Sequence, residues 1–200
     1  MRNLYNLKIM YFIKIVFCFI CFILISVYSF GNPLELTLEE FANEPLGKVF
    51  FLRHTLAPGF DANGEPEKFN IEDCSTQRNL NITGRKQAKK LGEEFVNYGI
   101  KFRKIFSSQW CRCIETGELL NLGQVSLESS LNSGFKGIFK KEKSLLILKK
   151  ILEALNDYDE PILMVTHYGT ILATTGISVD SGGGVVYNLK TRESKKILLK

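Results

Sequence analysis

The chain has 200 residues, 45% of them hydrophobic and 24% charged, with 16 Gly and 5 Pro. That composition excludes a disordered, collagen-like or low-complexity protein and leaves room for one globular domain with a short appendage. The formal net charge of +5 is unevenly placed: Arg2, Lys8 and Lys14 face no acid within the first 30 residues, so the remainder carries +2. A nearly neutral body with dispersed charge gives little electrostatic reason to expect nucleic-acid binding.

The first 30 residues contain 23 apolar ones, and Ile15 to Phe30 runs for sixteen positions without a charge before Gly31-Asn32-Pro33. A basic stretch, an apolar stretch and small residues around Ser29 and Gly31 form the pattern of a secretory signal peptide over residues 1–31. The second reading is an uncleaved anchor from Ile9 to Phe30, with Lys14 reaching back to the interface. Either way residues 32–200 form the working domain and act outside the cytoplasm, as a periplasmic or secreted protein. Contact with a membrane is expected only if the segment is uncleaved.

Thr37 and Glu40 have capping-box spacing for a brief helix. Gly47 to Arg53 is a short apolar run bounded by a turn and a charge, as a buried parallel strand is. Ala57 to Gln77 has no periodicity and includes Pro58, Gly59, Gly64, Pro66 and five acids, a pattern expected of a lid or substrate loop. Thr83 is placed to cap a helix in which Ala88, Leu91, Phe95 and Tyr98 recur at helical spacing and which ends at Gly99. Lys104 to Ser107 reads as a strand, followed by a helix through about Leu120. Leu145, Leu148, Leu152 and Leu155 form the apolar stripe of another helix, whose lysines make its wet face. Pro161 to Thr166 is the clearest buried strand, and Gly184 to Leu189 and Ile197 to Leu199 form a closing hairpin. Strands alternating with helices predict an α/β three-layer sandwich around a mainly parallel sheet flanked by helices.

Three cysteines lie beyond the leader. An exported domain favours a disulfide from Cys74 to Cys111 or Cys113; a zinc site on these sulfurs is the weaker alternative, since their spacing matches no common zinc pattern. No cofactor or metal is expected.

The chain has only two histidines. His54 and His167 each stand at the carboxyl end of a predicted strand, the edge at which open α/β sheets bind ligands. Arg53 precedes the first, and a third strand end delivers Ser107-Ser-Gln-Trp-Cys-Arg112 together with the backbone N–H groups of a helix start. Planar guanidiniums around an imidazole suit a tetrahedral oxyanion, and their charge keeps histidine neutral and nucleophilic. The inferred substrate is a small phosphate ester.

Arg53-His54-Thr55 after a strand, the run Arg78-Asn-Leu-x-x-Thr-Gly-x-x-Gln-Ala88, Ser107-Ser-x-x-x-Arg112 before a helix, and Val165-Thr-His167 with Gly169 resemble the histidine phosphatase superfamily, branch 1, the phosphoglycerate mutase-like group. The resemblance implies that fold over residues 47–187 and a phosphatase that passes the phosphoryl group through a phosphohistidine on His54. It implies that Arg53 and Arg112 clamp the phosphoryl oxygens and that His167 stabilises the transferring group. Arg78 is placed to reach the same pocket, or to pack its loop. Thr55 stands where the family has glycine, and offers a hydroxyl to phosphate or narrows the pocket. The proton donor to the leaving group has two candidates, Glu128 and Asp73. A non-catalytic phosphate-binding module and, further off, a phosphomutase are the rival functions.

Overall fold

The computed structural model describes residues 35–45, 47–59, 66, 68–134, 140–155 and 160–199. Residues 1–31, expected as a signal peptide or anchor, and residues 60–65 and 67 of the acidic loop lie outside them. Residues 34–200 form one compact unit.

The unit is organised around a seven-stranded sheet. The strands are β1 (Glu35–Thr37), β2 (Lys48–Arg53), β3 (Lys104–Ser107), β4 (Val125–Leu127), β5 (Ile162–Thr166), β6 (Gly184–Asn188) and β7 (Ser194–Leu198). Their order across the sheet is β1-β7-β6-β2-β5-β3-β4. The pairs β1–β7, β2–β5, β5–β3 and β3–β4 are parallel, and only β2–β6 and β6–β7 are antiparallel. The expected mainly parallel sheet and the closing hairpin are therefore present.

β2 and β5 are central, and side chains alternate between sheet faces along a strand. Phe50, Leu52, Leu163 and Val165 point into one apolar layer with Leu91, Phe95 and Trp110. Val49, Phe51, Ile162 and Met164 enter the other with Leu148, Leu152 and Ile171. Burial on both faces is why these strands read as unbroken apolar runs in the sequence. The first layer is closed by α1 (Leu38–Asn43), α2 (Ile82–Asn97) and α3 (Cys111–Leu119), the second by α4 (Lys141–Ala154) and α5 (Tyr168–Thr175).

The capping box at α1 forms as expected: the Glu40 backbone N–H donates to Thr37 Oγ1, and the Thr37 backbone N–H donates to the Glu40 carboxylate. The cap of α2 differs from expectation. Asn81, two residues before Thr83, takes the N-cap position, its Oδ1 accepting the Gly84 N–H at 2.7 Å. Gly84 is required there because a Cβ would run into the Leu56 carbonyl. That close approach brings α2 against the residues that follow β2.

Residues 68–77 of the acidic loop, expected as a lid or substrate loop, are built into the body of the domain. Residues 74–76 form a 3₁₀ turn capped by Asp73. A disulfide joins Cys74 to Cys111, and the Phe69 ring stacks on Trp110 with centroids 4.3 Å apart. Gln77 donates to the Asn70 and Ile71 carbonyls and accepts the Cys111 N–H. These bonds satisfy the loop's backbone from within and fasten residues 68–77 to the start of α3.

Candidate active site

β2, β3 and β5 are adjacent and parallel, so their carboxyl ends deliver Arg53-His54, Ser107-Ser108 and Thr166-His167 to one edge of the sheet. The chain beyond each strand is held in register: the His54 N–H donates to the Thr166 carbonyl and the Ser108 N–H to the Val165 carbonyl. The turn before β6 closes around the end of β2, with the Gly182 N–H shared by the Arg53 and His54 carbonyls. Gln87, from the motif run on α2, accepts the Leu56 N–H and donates to the Ser181 carbonyl, tying these two loops together.

Arg112, in the first turn of α3, lies between the two histidines. Its Nε donates to His54 Nε2 at 3.1 Å and its Nη2 to His167 Nδ1 at 3.3 Å. Nη1 meets the Arg78 carbonyl at 3.5 Å, and the guanidinium lies 4.5 Å from the Trp110 ring centroid. The two imidazoles are 5.4 Å apart, centroid to centroid.

His54 Nδ1 sits 2.9 Å from the Thr55 carbonyl, which can only accept. The proton is therefore on Nδ1, and Nε2 presents its lone pair to Arg112. Burial pushes both histidines well below their ordinary pKa, and the Arg112 charge pushes them further down; Arg78 and Arg53 add to it. Both rings are neutral at pH 7.

Arg53 reaches the same edge from the other side. Its Nη1 donates to the Val179 carbonyl at 2.9 Å and its guanidinium lies 5.4 Å from the Tyr168 ring centroid. Burial, and then the charge of Arg78, lower its pKa.

The structure thus brings together His54, His167 and Arg112, with Arg53 and Arg78 close enough to act on both imidazoles. Thr55 is not in that group. It is fully buried, and its N–H and hydroxyl both meet Thr116 Oγ1 at 3.2 Å, so its side chain turns toward α3. Nor do the backbone N–H groups at the start of α3 face a ligand: those of Gln109, Trp110 and Cys111 donate to Asn132, Ser108 and Gln77. Both acid candidates act as caps. The Glu128 carboxylate accepts the Ser130 N–H beyond β4, and Asp73 accepts from Ser75 at the exposed 3₁₀ turn.

The disulfide uses Cys111, leaving Cys113 as a buried thiol outside it. Successive helix residues are rotated by about 100°, so Cys111 and Cys113 face opposite ways. Cys113 turns to the sheet, with its Sγ 3.5 Å from His167 Nε2. Among the described residues no three His, Cys, Asp or Glu side chains gather as a metal-binding set.

Sequence reasoning passed over Ser108 as a side chain and Asn132 altogether. Ser108 Oγ meets His167 Nε2 and Asn132 Oδ1, each at 2.9 Å. The only early signal was Ser108's place beside a strand end.

The family model for the histidine phosphatase superfamily (branch 1) matches residues 63–138, a span that contains Arg78 and Arg112 but begins after His54 and ends before His167. No curated protein matches the sequence. Solved structures match its fold. The protein histidine phosphatase SixA, complexed with tungstate, has 15% identity and a TM-score of 0.51, with 74% of this chain and 93% of that one covered. A mycobacterial glucosyl-3-phosphoglycerate phosphatase complexed with VO3 gives 13% identity and a TM-score of 0.53, covering 74% and 96%. A phosphoserine phosphatase variant from Entamoeba histolytica, in complex with phosphoserine, gives 12% and 0.51, covering 74% and 94%. Over residues 63–138 the chain is thus similar to the histidine phosphatase superfamily (branch 1), and its mainly parallel sheet has the fold of these solved structures.

Proposed function

We propose that this protein hydrolyses a small phosphate monoester through a phosphohistidine on His54. The observation that carries the reading is the state of that ring: Nδ1–H is spent on the Thr55 carbonyl, so the Nε2 lone pair is directed at a guanidinium suited to phosphoryl oxygens. Nε2 forms a bond to phosphorus as the bond to the ester oxygen breaks, and the alcohol leaves with a proton from water, the Glu128 and Asp73 carboxylates being engaged as caps. Water then attacks phosphorus, inorganic phosphate departs, and the lone pair returns to Nε2. Arg112 and Arg53 offset the phosphoryl charge, and His167 lies beside the transferring group. Catalysis of this kind rests on positioning and charge stabilisation. The tungstate complex of SixA supports the reading, tungstate being an oxyanion of phosphate's shape.

The domain works in an oxidising compartment, periplasmic or extracellular, after export directed by residues 1–31. The Cys74–Cys111 disulfide supports this, because such bonds persist where thiols are not kept reduced.

Hydrolysis of p-nitrophenyl phosphate tests the activity. His54→Ala is expected to lower turnover by about a thousandfold or more, and an acid-labile phosphoenzyme is expected only with His54 present. Equal turnover by the two proteins removes His54 as the nucleophile.

A further inference from the structure

Phosphoryl transfer as described gives no part to the polar chain behind His167. Each hydrogen bond in that chain has a fixed direction, and the directions can be read from both ends. At the far end, the Gln109 backbone N–H approaches Asn132 at 2.8 Å, and since a backbone N–H only donates, the atom it meets is the amide oxygen. The Asn132 amide nitrogen accordingly donates to Gln109 Oε1 at 2.8 Å. With Oδ1 fixed as an acceptor, the Ser108 hydroxyl donates its proton to it. Ser108 Oγ then has only lone pairs left for His167 Nε2, so Nε2 carries the ring proton. At the near end, Arg112 Nη2 has no lone pair and only donates, which makes His167 Nδ1 an acceptor. The two ends agree.

We propose that Ser108 and Asn132 are positioning residues that lock His167 as its Nε2–H tautomer, leaving Nδ1, on the Arg112 side, as the atom where the ring takes up a proton. His54 is held in the opposite tautomer by Thr55, so both histidines turn a lone pair toward one guanidinium. The groups facing His167 are Arg112 and Cys113 from α3, His54 and Arg53 from the end of β2, and Arg78 from the segment before α2; the Trp110 ring stands 5.6 Å away. None of the charged groups among them is an acid. Ser108 and Asn132 are thus the route by which a substitution changes the ring's proton affinity without touching the phosphoryl site. In kinetics the inference rests on the phosphatase reading; in tautomer it does not.

The test uses ¹⁵N-histidine-labelled protein, in which two rings give all the imidazole signals. Long-range proton–nitrogen correlation at pH 7 is expected to show one Nδ1–H and one Nε2–H neutral ring. Ser108→Ala removes one of the two bonds that hold this tautomer and leaves the one from Arg112 Nη2, so an Nδ1–H fraction should appear in the His167 ring while the His54 ring stays unchanged, and kcat/KM should fall by at least about tenfold. Asn132→Asp keeps the acceptor oxygen and adds a charge, so the pH at which His167 protonates should rise by about one unit or more. Thermal unfolding of each variant separates these effects from a loss of fold. Two rings of the same tautomer in the wild type, or an unaltered pattern in Ser108→Ala together with an unaltered titration in Asn132→Asp, overturns the inference. The expected tautomers in a protein without turnover uphold the lock and overturn the phosphatase reading instead.

Discussion

Arg112 and Arg53 approach the same sheet edge and are held in opposite ways. Arg112 is 3% exposed; Nε, Nη1 and Nη2 each meet an acceptor, Trp110 lies against its plane, and a disulfide begins at the residue before it. Arg53 is half-buried, is fixed by Nη1 alone and rests near the Tyr168 ring, while its Nε meets no acceptor among the described residues. On the proposed reading the first is a preorganised clamp, its ordering complete before substrate arrives. The second has donors to spare and freedom to follow a ligand. Preorganised donors stabilise developing charge without a reorganisation cost, whereas adjustable ones chiefly affect affinity.

Four measurements break or sharpen that contrast. Replacing Cys74 and Cys111 by serine releases a cross-link spanning 37 residues. Chain entropy sets the stability loss at up to about 4 kcal/mol, read in denaturant, and turnover should fall with it because the segment holding Arg112 loosens. Unchanged stability would show the loop bonds suffice. Next, Arg112→Lys cannot reach both imidazoles; kcat should drop about a hundredfold, near 2.7 kcal/mol, with smaller change in KM. Third, Arg53→Lys should raise KM about tenfold and leave kcat nearly intact. A kcat loss equal to that of Arg112→Lys would erase the distinction.

The fourth measurement is of stability against pH. Both histidines have folded-state pKa values far below the ordinary 6.5, so the unfolded chain binds protons that the folded one refuses. Their contribution to stability is present above pH 6.5 and is lost as the pH falls, by up to about 1.4 kcal/mol per unit for each ring. Melting temperatures compared at pH 7 and pH 5 read this directly. His167→Gln should remove part of the dependence, and a wild type equally stable at both pH values would contradict the buried, neutral rings.

Much of this arrangement was legible in the chain. β2 and β5 stand out because burial on both faces writes an uninterrupted apolar run, and Arg53, His54 and His167 follow from where those runs stop. β1 and β4 were missed: at three residues each, with partly exposed side chains, they leave no period to detect. α5, Tyr168 to Thr175, carries little contrast between its faces and passed unnoticed. Thr83 is a good cap residue, but Asn81 two positions earlier is as good, and only the Leu56 contact at Gly84 decides between them. Cys111 and Cys113 are equivalent in spacing from Cys74; the direction each faces on α3 separates them. Asn132 lies 24 residues from Ser108, and their meeting depends on the packing of β3 beside β4, which no local pattern encodes.

The three residues of β1 have a consequence out of proportion to their number. They pair with Lys196, Ile197 and Leu198 and so occupy the outer ladder of β7, which would otherwise offer a row of open amide and carbonyl groups to any passing strand. A chain trimmed past Thr37 should keep the edge that carries Arg53, His54 and His167 intact and yet self-associate through that bare margin, and light scattering on the shortened protein would reveal it.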